Sequence, residues 1–563
     1  MIWQQTYLLF GFGPTLSFLI ASLPIVVMLL LLGVFRKPAW MAGLCGLAVT
    51  LLLATLGYRM PVVTALSAIM YGAAFGLFPI CWIIFWAIAL FRVTVETGRF
   101  EIIKDSMGRL TPDPRLQALL IAFALGGFLE GASGFGTPVA IASTMLIGLG
   151  FSPFSASALC LIANTAPVAF GSIGIPLYTL AGTTGLPLDK LSAAVGAICS
   201  PIAVLLPLYL IVAVGGGSAL SGILVPTILA GISFGGAQFL VATYFGPALT
   251  DILAAILTMA VLVLYLKLTA SKSNDPSHPH AEHAFMLRHF ARRGEGADGE
   301  SISLSIEERI IPDYPIGQVL GAWMPYGVLV GCVLLWGWPP IQKLLNSVTI
   351  VIRWPYLHDV VHRMPPITAT PSPYHALFNL NWLSAAGTAC MTATLLSALA
   401  LKVSSSQFGA ILMSVVKQLR LSVATITSVL GIAFLMNYCG ATATLGLAFA
   451  ATGILFPFFS ALLGWVGVFL TGSDTSSNAL FGNLQVVTAN KLGFSPVLMA
   501  AANSSGGVMG KMISLQTIAV AAAATGLTEG QQVRLFRFTL KHSILLIIVT
   551  GIVALAYAYL THL

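Results

Sequence analysis

The chain is dominated by long apolar runs parted by short polar breaks, and the run lengths set the first expectation. Residues 16–35, 41–57, 219–243, 252–268, 319–338 and 543–560 are each almost free of charge. They approach or exceed the about 20 residues that a helix needs to cross the hydrocarbon core of a bilayer. A conservative count gives about a dozen such spans, and counting broken segments raises it to about fourteen.

Two stretches break this pattern in a related way. The first reads Gly127-Phe128-Leu129-Glu130-Gly131-Ala132-Ser133-Gly134-Phe135-Gly136-Thr137-Pro138, and the second Phe469-Leu470-Thr471-Gly472-Ser473-Asp474-Thr475-Ser476-Ser477-Asn478. Each is followed by the same tetrapeptide, Gly150-Phe151-Ser152-Pro153 and Gly493-Phe494-Ser495-Pro496, and then by an Asn-hydroxyl cluster, Asn164-Thr165 and Asn503-Ser504-Ser505. Duplication is the economical explanation. The expected organisation is a first membrane repeat over 1–268, a cytoplasmic connecting loop over 269–318 and a second membrane repeat over 319–563. The apolar flanks of the second break, residues 464–470 and 479–487, are too short for two full spans. A surface loop is the simpler alternative, but a re-entrant helical hairpin with its tip inside the protein fits those lengths better. In an inverted pair the first hairpin enters from the cytoplasm and the second from outside.

Composition strengthens the membrane reading. Hydrophobic residues make up 58% of the chain and charged residues 8%, against roughly 25% charged in soluble domains. That charge cannot cover a soluble surface, so lipid must. The net charge of +8 resides in loops flanking spans, which is a topology signal and not a nucleic-acid stripe. Arg36-Lys37, the segment from Arg92 to Arg115, the loop arginines Arg288, Arg292, Arg293 and Arg309, then Lys402, Lys417, Arg420, Arg534, Arg537 and Lys541 are placed inside. Both termini are then outside. The first apolar segment lacks a basic n-region and a small-x-small cleavage site, so it reads as a span and not as a signal peptide. Seven cysteines, all in apolar segments and without a CxxC, read as buried thiols.

Three isolated charges lie among the polar breaks. Glu130 has apolar neighbours Phe128, Leu129 and Phe135, and an uncompensated charge at the centre of a span costs roughly 2.5–3.5 kcal/mol. It is either a neutral group ending a broken helix or a proton carrier, with burial favouring the acid and water or a cation favouring the carboxylate. Asp474 stands among hydroxyls and amides that cannot face lipid, conditions that favour its ionised form. Lys511 either snorkels to an interface or meets an anionic substrate or Asp474. The run Asn503 to Gly507 before it reads as a helix start whose free N–H groups would receive a carboxylate, as do Asn164 to Pro167 with Gly171-Ser172 in the first half. The histidines His278, His280, His283 and His289 read as a solvated loop and not a metal site, and no cofactor motif, nucleophile–base pair or metalloprotease motif occurs.

These motifs resemble the signature of bacterial lactate permeases, which include glycolate permeases. The likeness is carried by residues 127–140, Ala163 to Gly171, Leu470 to Phe481 and Asn503 to Ile513, in that order and over essentially the whole chain. The resemblance implies an all-α polytopic inner-membrane symporter with paired hairpins and an elevator-like motion, taking up L-lactate, D-lactate or glycolate with protons. The candidate substrate contacts are Ser133, Gly134, Thr137, Asn164, Thr165, Ser473, Thr475, Ser476, Ser477, Asn478, Asn503, Ser504, Ser505 and Lys511. Glu130, ahead of Asp474, is the candidate for the proton. Sodium coupling is the alternative, through oxygens near Gly134, Thr137 and Ser476. One departure is that Leu515-Gln516 stands where the family pattern has Pro-Gln, which puts the local kink in question.

Overall fold

The computed structural model describes residues 2–35, 37–134, 136–270 and 314–560, and within them the chain is mostly helical. The four loop histidines, Arg36, Phe135, the loop arginines and the side chain of Thr137 lie outside the described residues. Helices α1 (Pro14–Gly33), α2 (Ala39–Gly57) and α3 (Val62–Glu96) come first, then the short α4 (Arg99–Gly108). The first polar break separates α5 (Pro114–Ala132) from α6 (Thr137–Gly148). Next come α7 (Pro153–Ala163), α8 (Gly171–Thr184), α9 (Leu188–Gly215), α10 (Leu224–Tyr244) and α11 (Thr250–Ala270). The second half holds α12 (Ile316–Gly337), α13 (Pro339–Asn346), α14 (Ala386–Ala400), α15 (Ser405–Cys439) and α16 (Ala441–Phe449). It ends with α17 (Phe456–Thr471), α18 (Asp474–Leu492), α19 (Pro496–Lys511), α20 (Leu515–Thr525) and α21 (Glu529–Leu560). Among the described residues twelve helical stretches are long and apolar enough to cross a membrane, two of them running from α16 through α17 and from α19 through α20, and the bent pair formed by α7 and α8 makes thirteen.

One addition to the all-helical expectation is a small β cap. Its strands are β1 (Trp3–Gln4), β2 (Ile350–Arg353), β3 (Val361–Arg363), β4 (Ser372–Pro373) and β5 (Leu377–Leu380). β1 pairs parallel with β3, β3 antiparallel with β4, and β2 antiparallel with β5. The strands are too short, and too broken by proline, to show as alternation in the sequence.

Contacts at helix ends sort the two faces of the molecule. The β1–β3 pair puts the N-terminus and the cap on one face, and Tyr438 Oη donating to the His375 carbonyl at 2.8 Å brings the end of α15 there. On the opposite face Arg92 donates to Gln418 Oε1 at 2.9 Å, joining the end of α3 to the early turns of α15. That second face carries the exposed Lys417 and Arg420, so it is the cytoplasmic one.

Helix α21 then separates the two polar breaks. Near its first turns, Phe538 and Arg534 pack on Phe154, which begins the chain leaving α6. At its far end Tyr559 meets Phe494, which follows α18, and donates to the Ile454 carbonyl just before α17 at 2.8 Å. With 32 residues, α21 is about 48 Å long, so α5–α6 and α17–α18 are two helical hairpins with bases on opposite faces. Their tips turn on glycines with left-handed backbone, φ 58° at Gly134, 80° at Gly136 and 72° at Gly472, a conformation costly for other residues. The repeated tetrapeptide does one job twice. Ser152 and Ser495 accept from the N–H groups of Ser155 (3.2 Å) and Leu498 (3.4 Å), capping α7 and α19, with proline in the first turn of each.

Small residues let α19 lie directly on α17, as in close-packed membrane helices. A Cβ added to Gly506 would stand 2.6 Å from the Ala461 Cα, and backbone cannot retreat as a side-chain tip can. Gly506→Val should therefore cost at least about 1–3 kcal/mol. The expected outcome is a lowered Tm and loss of the monodisperse peak in size-exclusion chromatography.

Candidate functional site

The two hairpin tips face one open cleft of about 890 Å³, solvent included. Glu130 and Gly136 come from the first hairpin and residues 471–476 from the second. Gly171 and Ser172 open α8, Lys511 closes α19, and Gln516 and Thr517 lie on α20. Ala39, Ser422 and Thr425 also line it, and they adjoin in sequence the exposed Lys37 and Arg420.

On the second hairpin, Ser473 caps α18 by accepting the Ser476 N–H at 3.2 Å. The first-turn N–H groups of that helix carry partial positive charge, and they lie at the cleft. Asp474 is buried. Its Oδ2 accepts from Ser504 Oγ (2.7 Å) and Asn478 Nδ2 (3.2 Å), while Oδ1 has no partner. Asn503 Nδ2 donates to Asn478 Oδ1 and Gln485 Nε2 to Asn503 Oδ1, both at 3.0 Å. Ser477 is spent on the Gly464 carbonyl, and Ser505 faces Cys199 of α9. Asn478, Asn503 and Ser504 thus stand behind the cleft and hold Asp474, whereas Ser473, Thr475 and Ser476 line it.

The expected helix start between Asn503 and Gly507 is overturned. Those residues lie inside α19, where backbone N–H groups are already used by the helix, and Lys511 ends that helix. The glycines serve contact with α17 instead. Lys511 is 8% exposed and lines the cleft. Glu130 and Asp474 lie within its electrostatic reach, but among the described residues no carboxylate comes within the 4.0 Å of an ion pair. The kink after it survives without the proline, because Ser514 caps α20 by accepting the Thr517 N–H at 3.1 Å.

On the first hairpin, Glu130 is 3% exposed and its Oε2 has no partner. Its Oε1 lies against bare backbone, since a Cβ on Gly171 would be 2.9 Å away. Ser172 donates to the Ser133 carbonyl at 3.1 Å, tying α8 to the tip. Ser172, Ile173 and Gly174 form a left-handed turn, with φ 49°, 60° and 76°, strain of about 1–3 kcal/mol for each non-glycine residue that accumulates at functional sites. Asn164 lies beside Glu130, yet neither amide atom completes a hydrogen bond. Ser133 and Thr165 donate back into their own helices, to Leu129 and Ile162.

Several residues at the site escape a sequence reading. Ser422 and Thr425 come from a helix with no polar break. Gln238 and Cys199 are single polar positions in long spans. Asp251 is the largest omission. It directly precedes the apolar run 252–268, and it is 1% exposed within electrostatic reach of Glu130. The available signal was an acid flanked by Ala248, Leu249 and Ile252. Away from the cleft, His358, Asp359 and His375 of the cap bring possible ligand atoms within 4.8 Å of one another. His358 Nδ1 accepts the Ala376 N–H at 3.1 Å, so Nε2 holds the ring proton and faces Asp359 at 3.2 Å. That trio is a hydrogen-bonded cluster.

The L-lactate permease family matches residues 17–561. An L-lactate permease of Bacillus subtilis (strain 168) is 42% identical over 571 residues, covering 98% of each chain. The glycolate permease GlcA of Escherichia coli (strain K12) is 40% identical over 564 residues, 99% of this chain and 98% of that one. Among solved structures, the Neisseria gonorrhoeae MtrF efflux pump covers 95% of this chain at 11% identity with a TM-score of 0.49.

Proposed function

The chain belongs to the L-lactate permease family, and from that premise we propose that it takes up small 2-hydroxymonocarboxylates, L-lactate, D-lactate or glycolate, together with a proton. It is a multi-pass protein of the bacterial inner membrane. The observation that carries the reading is Lys511: a buried lysine that faces a cleft between two hairpin tips without an ion-pair partner among the described residues. The substrate carboxylate sits between Lys511 and the first N–H groups of α18, and Ser473, Thr475 and Ser476 meet its 2-hydroxyl. Asp474 is held by Ser504 and Asn478 within electrostatic reach of Lys511. Glu130 takes the proton, so substrate charge and proton enter the site as a neutral pair.

Residues 1–268 and 319–563 act as inverted repeats around this site, and the hairpins move with it past a scaffold that includes α2 and α15. The opposed hairpin bases support that arrangement. Glu130 Oε2 and Asn164 Oδ1, both unpartnered, would equally suit a sodium ion, which makes the coupling ion the decisive measurement. Radiolabelled L-lactate and glycolate should accumulate in proteoliposomes under a proton gradient alone. Accumulation under a sodium gradient alone would replace the proton in this mechanism, and no accumulation of either acid would refute the substrate class.

A further inference from the structure

Helices α9 and α21 touch at one level and part at the next. Tyr209 of α9 and His542 of α21 are joined by a hydrogen bond between Oη and Nδ1, and the Phe538 ring lies 4.5 Å from that of His542. One turn closer to the helix ends an open groove of about 720 Å³, solvent included, lies between α7, α9 and α21. Apart from Ser155 its lining is apolar: Phe154 and Ala158 of α7, Val212 to Val214 and Gly216 at the end of α9, and Phe538 of α21. Ile544, Leu545 and Ile548, in the next turns of α21, are exposed apolar residues, so this helix borders lipid.

The level of the groove in the bilayer follows from helix length. The apolar run 543–560 covers about 27 Å of helix, close to the hydrocarbon thickness of about 30 Å, so residues 534–541 lie at the headgroups. Arg534, Arg537 and Lys541 are exposed there, and the Arg534 guanidinium stands 5.1 Å from the centroid of the Phe154 ring that lines the groove. Arg534, Phe538 and Lys541 recur at i, i+4 and i+7, so they share one face of α21. Among the described residues no carboxylate pairs with any of the three cations. Arg115 Nη1 donates to the carbonyls of Ala219 and Ser221 just beyond α9, at 3.0 and 2.9 Å. This gathering of cations marks the cytoplasmic leaflet.

We propose that the groove holds an acyl chain of an anionic phospholipid of the cytoplasmic leaflet, whose phosphate lies on Arg534 with Arg537 and Lys541 beside it. Two features favour a lipid over a free anion: the walls are apolar, and the cations sit at headgroup depth on a lipid-facing helix. Basic pockets between membrane helices take anionic headgroups in this way. The lipid fills a gap that helix packing leaves open, and joins α7, which follows the first hairpin, to α9 and α21. The inference is independent of the substrate that the cleft takes.

The test uses the full-length protein, delipidated and titrated with single lipids in native mass spectrometry. Dioleoyl phosphatidylglycerol should be retained about tenfold or more tightly than the phosphatidylcholine of the same chains. Replacing Arg534, Arg537 and Lys541 together with glutamine should bring that preference within about twofold. Lys417→Gln with Arg420→Gln, at two other exposed cations of the same face, should leave it intact. Phosphatidylglycerol with a photoreactive group in one chain should crosslink within residues 154–158, 212–216 and 538. Equal retention of the two lipids, a preference that survives the triple change or falls equally in the control pair, or crosslinks confined to other segments would overturn the proposal. Displacement of the lipid by millimolar inorganic phosphate would overturn it too, in favour of a free-anion site. If the triple variant does not fold, Arg534→Gln alone and the crosslinks on the parent protein decide.

Discussion

Replacing Lys511 with glutamine is expected to weaken L-lactate binding at least a hundredfold, about 3 kcal/mol. Lys511 is the cation that the cleft offers to an anion, and its charge is not consumed by an ion pair within the described residues. Removing it leaves Asp474 facing the incoming carboxylate, so an attraction becomes a repulsion at low dielectric. The substituted side chain keeps most of the volume at the end of α19 and the Ser514 cap of α20 beyond it, so folding should survive. Binding by calorimetry, beside size-exclusion and thermal-unfolding controls, reads the two effects apart. Unchanged affinity in a folded variant would make Lys511 a structural lysine, and would move the anion site to the start of α18 alone.

Glu130→Gln is expected to abolish L-lactate accumulation driven by a pH gradient, a loss of more than tenfold, while sparing exchange between two loaded compartments. Glutamine imitates the protonated acid in shape and charge. The loaded site should therefore form and cross, but the empty site can no longer shed a proton and return in its discharged state. Asp474 is not expected to substitute, because its Oδ2 is already engaged by Ser504 and Asn478. Accumulation ratios and counterflow in the same proteoliposomes distinguish the outcomes. Intact accumulation would transfer the proton to Asp474 or to a bound water, and loss of counterflow as well would place Glu130 in substrate binding.

Much of the architecture was legible because it depends on properties of single segments. Run length against bilayer thickness yields the spans, and the short flanks of the second break favour a hairpin over a surface loop. The Gly-Phe-Ser-Pro repeats announce a helix end, a cap and a new helix start wherever they occur. Glu130, Asp474 and Lys511 line the cleft, and each stood out in the sequence as an isolated charge near a polar break. The β cap was not legible, since its strands are held by the N-terminal residues pairing with Val361 and His362, far away in the chain.

The sequence by itself determined that this is a multi-pass membrane protein with two related polar interruptions and three isolated charges near them. Tertiary structure alone decided what the polar residues near those tips do. Asn503 to Gly507 look like a free helix start, yet α19 runs through them because its glycines gain a close-packed neighbour in α17. Asn478, Asn503 and Ser504 look like substrate ligands, yet α18 and α19 converge so that Asn478 and Ser504 bond Asp474 and Asn503 bonds Asn478. Asp251 carries no local mark of burial at the edge of its apolar run, yet α5 covers it at Gly131. The reason is common to all three: polarity and run length are local, whereas burial of a given side chain depends on which distant helix lands against it.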